Sequence, residues 1–328
     1  MNYNVIRYNQ EYKQQWDDFV RTAKNATFLF YRDFMDYHND RFEDYSLMVY
    51  KDNKLFALLP ANKVENKIYS HQGLTYGGYI LSEKAKLLES VEGFKMLLGF
   101  LNDHGIEYLD IRDIPSFYNL LPSDELTFIM FKANAELIKR DAIMLIDFRN
   151  KLLPIKSRRQ CIKRGMNSGL KIKVDDSFEA FWNEILIPNL KNKHGVSPVH
   201  TLEEIQLLAS RFPENIQQVN VYKDNKIVAG TTVFLTKTTI HPQYVSANED
   251  KNALESIDFL YNFLINDFQS YYYYFDFNIS SEEKGKILNK GLLFWKESYG
   301  ARTFTADNYV VETSAYKNLN LQLKWFHF

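Results

Sequence analysis

Val49-Tyr50-Lys51-Asp52-Asn53-Lys54-Leu55 recurs as Val221-Tyr222-Lys223-Asp224-Asn225-Lys226-Ile227. In each copy Asp-Asn-Lys separates two apolar runs. Asp and Asn tolerate left-handed turn angles, so each copy predicts a β-hairpin. The match extends well beyond the hairpins. The first hairpin leads into an apolar run at 55–60, a strand-like run ending at Ser70-His71, and a glycine-rich turn. Helical spacing through Leu87, Leu88, Val91, Phe94, Leu97, Leu98 and Leu101 comes next, then a strand at 106–111. The second hairpin leads into 227–235, a strand at 241–245 and a polar loop. Helical spacing through Ile257, Leu260, Tyr261, Leu264 and Ile265 comes next, then a strand at 272–279. His71 and His241 fall at nearly the same offset as the hairpins. Self-similarity at one large offset predicts duplicated domains.

The second unit continues with a helix expected at 286–298, stopped by Gly300, and a strand at 302–306. The first continues through 126–131 and 142–148. A boundary near Pro154 gives domains 1–153 and 154–328. The fold class is α/β (α+β), with a mixed central sheet flanked by helices in each unit.

A chain of 328 residues is comfortable for two such domains. A net charge of −1 predicts no bulk attraction to nucleic acid or to a membrane. The single cysteine, Cys161, excludes an internal disulfide, and its basic surroundings favour a lowered pKa. The first ten residues are polar, and no apolar run approaches the length of a membrane span, so the expected location is cytoplasmic. The seven histidines are dispersed, which predicts no metal centre.

Ser70-His71-Gln72-Gly73-Leu74-Thr75-Tyr76-Gly77-Gly78, His194 with Pro198-Val199-His200-Thr201-Leu202-Glu203-Glu204, and His241-Pro242-Gln243-Tyr244 stand out as motifs. Phe275-Asp276-Phe277 with Ser280, and Asn289-Lys290-Gly291-Leu292, complete the set. With the order of elements, these resemble the GNAT acyltransferase superfamily. Two units in tandem resemble its FemAB-type branch, and within it the sugar N-acyltransferases of bacterial surface-polysaccharide synthesis. Two positions depart from the superfamily pattern. The loop Ser246-Ala247-Asn248-Glu249-Asp250-Lys251-Asn252, where a coenzyme A pyrophosphate would be held, has no glycine and two acids. Lys296 stands where a general-acid tyrosine is common.

Acyl transfer to an amine needs a neutral amine, donors for an oxyanion, and positive charge or backbone N–H groups for the donor's phosphates. Strand alternation at 272–280 puts Tyr274, Asp276, Asn278 and Ser280 on one face, so Asp276 is a candidate base set among aromatics. His241 has a ring suited to proton transfer near neutrality and shares a strand face with Gln243, opposite Tyr244 and Ser246. His71, beside Gly73, Gly77 and Gly78, holds the equivalent place in the first unit. The segment 151–174 holds eight cations and no acid. It predicts an amphipathic helix ending by Gly169, with Arg159 and Lys163 on one face. That face is either solvated or a diphosphate site, lining a cleft between the units.

The resemblance implies an N-acyltransferase that moves an acyl group from a coenzyme A thioester to a nucleotide-linked amino sugar. Asp276 and His241 are then catalytic. His71, Tyr76, Arg159, Lys163, His194, Gln243, Tyr244 and Asn278 are candidates for substrate binding. Ser246, Ala247, Asn248, Ser280 and Asn289 are candidates for the cofactor. The FemAB side of the resemblance equally allows an aminoacyl-tRNA donor and a cell-wall acceptor. The two departures also allow a binding module without catalysis.

Overall fold

The computed structural model describes residues 2–175 and 177–322. The chain divides into two compact units, Met1–Arg140 with Thr305–Phe328, and Asp141–Phe304. This division differs from the boundary expected near Pro154. The chain changes unit inside strands rather than in a linker. Strand Glu136–Asp147 begins in the first unit and ends in the second, and Arg302–Glu312 leads back.

Both hairpins form as the repeat requires. Leu47–Lys51 pairs with Lys54–Leu59, and Ile216–Lys223 with Lys226–Leu235. Asp52 and Asn53 have φ of 47° and 63°, and Asp224 and Asn225 have 48° and 63°. Two consecutive left-handed residues match the twist of the flanking strands. Each hairpin also carries the same irregularity, a register slip between Val49 and Tyr50 and between Val221 and Tyr222.

In the first unit Tyr3–Arg7, Leu47–Lys51, Lys54–Leu59 and Ile80–Leu81 form one sheet in that order. Lys67–Tyr69 runs parallel to Tyr108–Arg112. Helix Leu87–Asp103 sends Val91, Phe94, Leu97, Leu98 and Leu101 into the core at helical spacing, against Leu47, Val49, Ala57 and Leu59. Each such side chain contributes about 1.5–3 kcal/mol by leaving water.

In the second unit the sheet order is Lys171–Asp175, Ile216–Lys223, Lys226–Leu235, Thr239–Ala247, Tyr274–Ile279 and the end of Glu136–Asp147. Neighbours are antiparallel except Thr239–Ala247 with Tyr274–Ile279. Helix Ser256–Asp267 packs Leu260, Tyr261, Leu264 and Ile265 into this unit's core. The helix expected at 286–298 starts only at Lys290. Left-handed Lys284 and Gly285 instead fold Ser281–Glu282 back on Ile287–Leu288. The basic segment forms helix Lys156–Asn167, stopped by Gly169 at φ 66°.

Candidate active site

Strands Thr239–Ala247 and Tyr274–Ile279 share only two register pairs, Thr239 with Tyr274 and Ile240 with Phe275. Both run on past that point, but with other partners. Thr239–Ala247 stays on Lys226–Leu235, with a bulge that makes Gln243 the extra residue between Pro242 and Tyr244. Tyr274–Ile279 stays on Glu136–Asp147, with a second bulge between Asp276 and Ile279. The parallel pairing therefore opens just beyond Ile240 and Phe275, and the first residues past it are His241 and Asp276.

His241 is 4% exposed and Asp276 3%. His241 Nδ1 lies 2.8 Å from Asp276 Oδ2, and Nε2 lies 3.0 Å from Gln243 Oε1. An ionised carboxylate only accepts, so Nδ1 carries a proton. The imidazolium then donates through Nε2 to Gln243 Oε1. The neutral ring instead accepts there from the Gln243 amide after a flip. The arrangement thus accommodates both protonation states of one ring, which a proton relay requires.

The expected alternation along 272–280 stops at the bulge. Asn278 takes φ 66° and turns outward, and its N–H donates to Asp276 Oδ1 at 2.6 Å. Lys296, from helix Lys290–Ser298, is buried and reaches the bulged strand. Its Nζ donates to Asn278 O at 2.9 Å and to Ile279 O at 2.5 Å. Burial pulls this amine down to about 8, against the opposing pull of Asp276. Lys296 is the functional candidate that sequence reasoning passed over, because it was judged only by what it replaces. Ser280 is buried, and among the described residues its Oγ has no hydrogen-bond partner.

The N-terminus of helix Ser256–Asp267, where a pyrophosphate was in question, is lined with acid that is already paired. Arg164 pairs with Glu255, and Arg158 with Asp258 at 2.5 Å. Gly165 of the basic helix abuts Glu255 O, an approach any side chain would obstruct. The basic helix therefore packs against this helix start. Cys161 is not activated: burial and the nearby Glu255 and Asp258 raise its thiol pKa, contrary to the lowering expected. Ligand atoms of Cys161, Glu255 and Asp258 lie within 4.8 Å of one another, but Arg158 and Arg164 already occupy the acids.

The other candidates disperse. Ser246 Oγ and Ala247 O both accept from Asn189 Nδ2, at 2.8 and 2.7 Å. The Asn248 side chain accepts from Asp250 N. Asn289 caps helix Lys290–Ser298 through Leu292 N (3.0 Å) and donates to Glu282. Tyr244 OH lies 2.5 Å from His200 Nδ1, and Thr201 with Glu204 forms a capping box on helix Leu202–Arg211. The side chain of His194 lies outside the described residues. Arg159 and Lys163 are on the exposed face of their helix.

In the first unit His71 is buried, at φ 63°, with its ring stacked on His38 at 5.2 Å. Burial, aided by His38, lowers it to about 3. Gly73 and Gly77 admit the chain itself rather than a ligand: a side chain at Gly73 would strike His38, and one at Gly77 the Ser70 carbonyl. Tyr76 OH is held by Thr27 at 3.0 Å.

This unit also contains a cavity of about 540 Å³ that the motifs did not mark. Asp113, Asp124, Phe128, Arg140 and Asp307 line it. Arg140 grips Asp307 with two bonds of 2.6 and 2.7 Å. Burial, with Asp307 and Asp124 adding, raises the Asp113 carboxyl to about 7, although Thr127 Oγ1 and Ile114 N donate to its charged form. Asp113 keeps part of its surface in solvent, which moderates that rise. No sequence signal marked it, since its environment comes from segments distant in the chain.

No family model matches the chain, and no curated protein matches its sequence. Solved structures do match. FemX is 9% identical over 93% of this chain and 96% of its own, with TM-score 0.66. A conserved protein of unknown function from Bacteroides thetaiotaomicron is 12% identical over 95% and 99%, with TM-score 0.57. L-PGS from Bacillus licheniformis is 12% identical over 82% and 83%, with TM-score 0.55. At such identities the likeness is one of fold alone: two α/β units in tandem, over nearly the whole length of FemX.

Proposed function

We propose that the protein is an N-acyltransferase, with the second unit carrying the chemistry at His241 and Asp276. The observation behind this reading is the 2.8 Å contact between these two buried groups where the parallel strands open. In the reaction the acceptor amine is deprotonated as it attacks the acyl carbonyl. The proton passes to the His241–Asp276 pair, and the leaving group departs from the tetrahedral intermediate. The Lys296 ammonium, with a pKa near 8, is suited to stabilise negative charge or to return a proton to the leaving group. A nucleotide-linked amino sugar as acceptor and a coenzyme A thioester as donor come from the sequence resemblance, with Arg159 and Lys163 available to phosphate.

A second reading, an aminoacyl-tRNA donor, is favoured by one observation. The helix start that would cradle a pyrophosphate has no glycine loop and presents Glu255 and Asp258, each already paired with arginine. The test is thiol release from acetyl- and 3-hydroxyacyl-coenzyme A with a panel of nucleotide-linked amino sugars. Sugar-dependent release with a matching mass gain on the sugar supports the first reading. No release and no coenzyme A binding by calorimetry sinks it. Running Asp113→Asn beside Asp276→Asn tells which unit supplies the base.

A further inference from the structure

The basic helix has two faces of different fate. Arg158, Cys161, Ile162 and Gly165 turn inward, where Arg158 meets Asp258 and Gly165 meets Glu255 O. Lys156, Arg159, Lys163 and Met166 lie on the opposite side, within an arc of roughly 80° at 100° per residue, along about 15 Å of axis. Among the described residues no acid pairs with Lys156, Arg159 or Lys163, and the segment 151–174 contains none. The residues leading into the helix are apolar and open to solvent. Leu153 is 76% exposed, Leu152 44% and Ile155 42%, and on the helix Met166 is 59% exposed. Arg159 Nη1 donates to Pro154 O at 2.8 Å, which fixes a cation beside this apolar knuckle.

Cations alone suit any polyanion, but leucines as exposed as Leu153 lose by facing water. A surface that combines both matches the boundary of a bilayer, with anionic headgroups over a shallow apolar layer. No helix among the described residues is long and apolar enough to cross a membrane, so contact of this kind would be peripheral. The net charge of −1, from which no membrane attraction was expected, averages over this segregation.

We propose that residues 152–155 and the exposed face of helix Lys156–Asn167 form a docking surface for an anionic lipid bilayer. Leu152 and Leu153 enter the apolar boundary, and Lys156, Arg159 and Lys163 meet the headgroups. The proposal does not rest on the His241–Asp276 chemistry, and it gives Arg159 and Lys163 to lipid headgroups in place of a substrate phosphate.

The test is co-sedimentation of the full chain with vesicles of phosphatidylcholine alone and of equal parts phosphatidylcholine and phosphatidylglycerol. The expected result is partition onto the anionic vesicles only, weakened by salt. Lys156→Gln should lower the partition coefficient roughly five-fold, and Leu153→Ser at least about ten-fold. Both positions are at the surface, and unchanged thermal unfolding of each variant verifies the fold. No partition onto anionic vesicles overturns the proposal. So does loss in Lys156→Gln with none in Leu153→Ser, especially if bulk transfer RNA competes, because the face is then a nucleic-acid surface.

Discussion

His241 Nδ1 and Asp276 Oδ2 face each other at 2.8 Å from two parallel strands that stop pairing one residue earlier. Such a contact either relays a proton or merely staples the strands, and the two roles separate experimentally. Asp276→Asn keeps the shape and removes the charge. If the pair is catalytic, turnover in the transfer assay falls by about 10²–10⁴-fold. Stability falls by only about 1–3 kcal/mol, the cost of an imperfectly partnered buried group. His241→Asn should behave alike, and the double variant should lose little more than either single one. A staple would give the stability loss with turnover per folded molecule intact.

The duplicated hairpins were legible because turn chemistry is local: Asp-Asn dictates two left-handed residues wherever it falls between strands. The helices at 87–103 and 256–267 were legible from the spacing of Val91, Phe94, Leu97 and Leu101 and of Leu260, Tyr261 and Leu264. The His241–Asp276 pair was legible as two candidates but not as a contact, since their meeting depends on strand order. Asn278 was misplaced because a bulge resets alternation, and nothing in Phe-Asp-Phe-Asn-Ile announces one. The exchange of unit within strands was invisible for a similar reason. A strand reads identically whether its partners belong to one unit or to two.

Lys296 gives a prediction on the alkaline side. Burial disfavours its charged form, so between about 8 and its ordinary 10.5 the folded chain holds fewer protons than the unfolded one. Stability therefore rises with pH across that window, by at most ~1.4 kcal/mol per pH unit. Urea unfolding of wild type and Lys296→Met at several pH values checks this. The variant should lose the rise. At neutral pH it should be about 1–3 kcal/mol weaker, because Asn278 O and Ile279 O lose their donor. A rise retained in the variant would assign the titration elsewhere.

His71 and Asp113 work against each other within the first unit. His71 is lowered to about 3, so below about 6.5 the unfolded chain takes up a proton that the folded chain refuses, and stability falls on acidification. Asp113 is raised to about 7, so between about 4 and 7 the folded chain holds the extra proton, and stability falls as pH rises. From pH 5.5 to 6.5 the two nearly cancel, and the wild type should be almost flat. Asp113→Asn should expose a gain with pH of up to ~1.4 kcal/mol over that unit, and His71→Asn a loss of similar size. Asparagine suits position 71 because it tolerates the left-handed backbone there. Parallel pH profiles for all three proteins would refute the opposition.

The repeat itself makes a quantitative claim. Asn53 and Asn225 share φ 63°, the same preceding Asp and the same register slip two residues before that Asp. An alanine at either position must adopt a left-handed backbone without the local hydrogen bonding that asparagine offers. The cost is about 1–2 kcal/mol. Glycine removes the steric penalty, so Asn→Gly should be near neutral at both sites. If the two hairpins are copies in energetics as well as shape, Asn53→Ala and Asn225→Ala should cost the same within about 0.5 kcal/mol and add in the double variant. Chemical denaturation followed by tryptophan fluorescence reads both units, since Trp16 lies in the first and Trp182 in the second. Each variant should shift the transition of its own unit. A large cost at one turn and none at the other would show that one hairpin is held by its surroundings rather than by its turn, and would end the equivalence that the matching sequences imply.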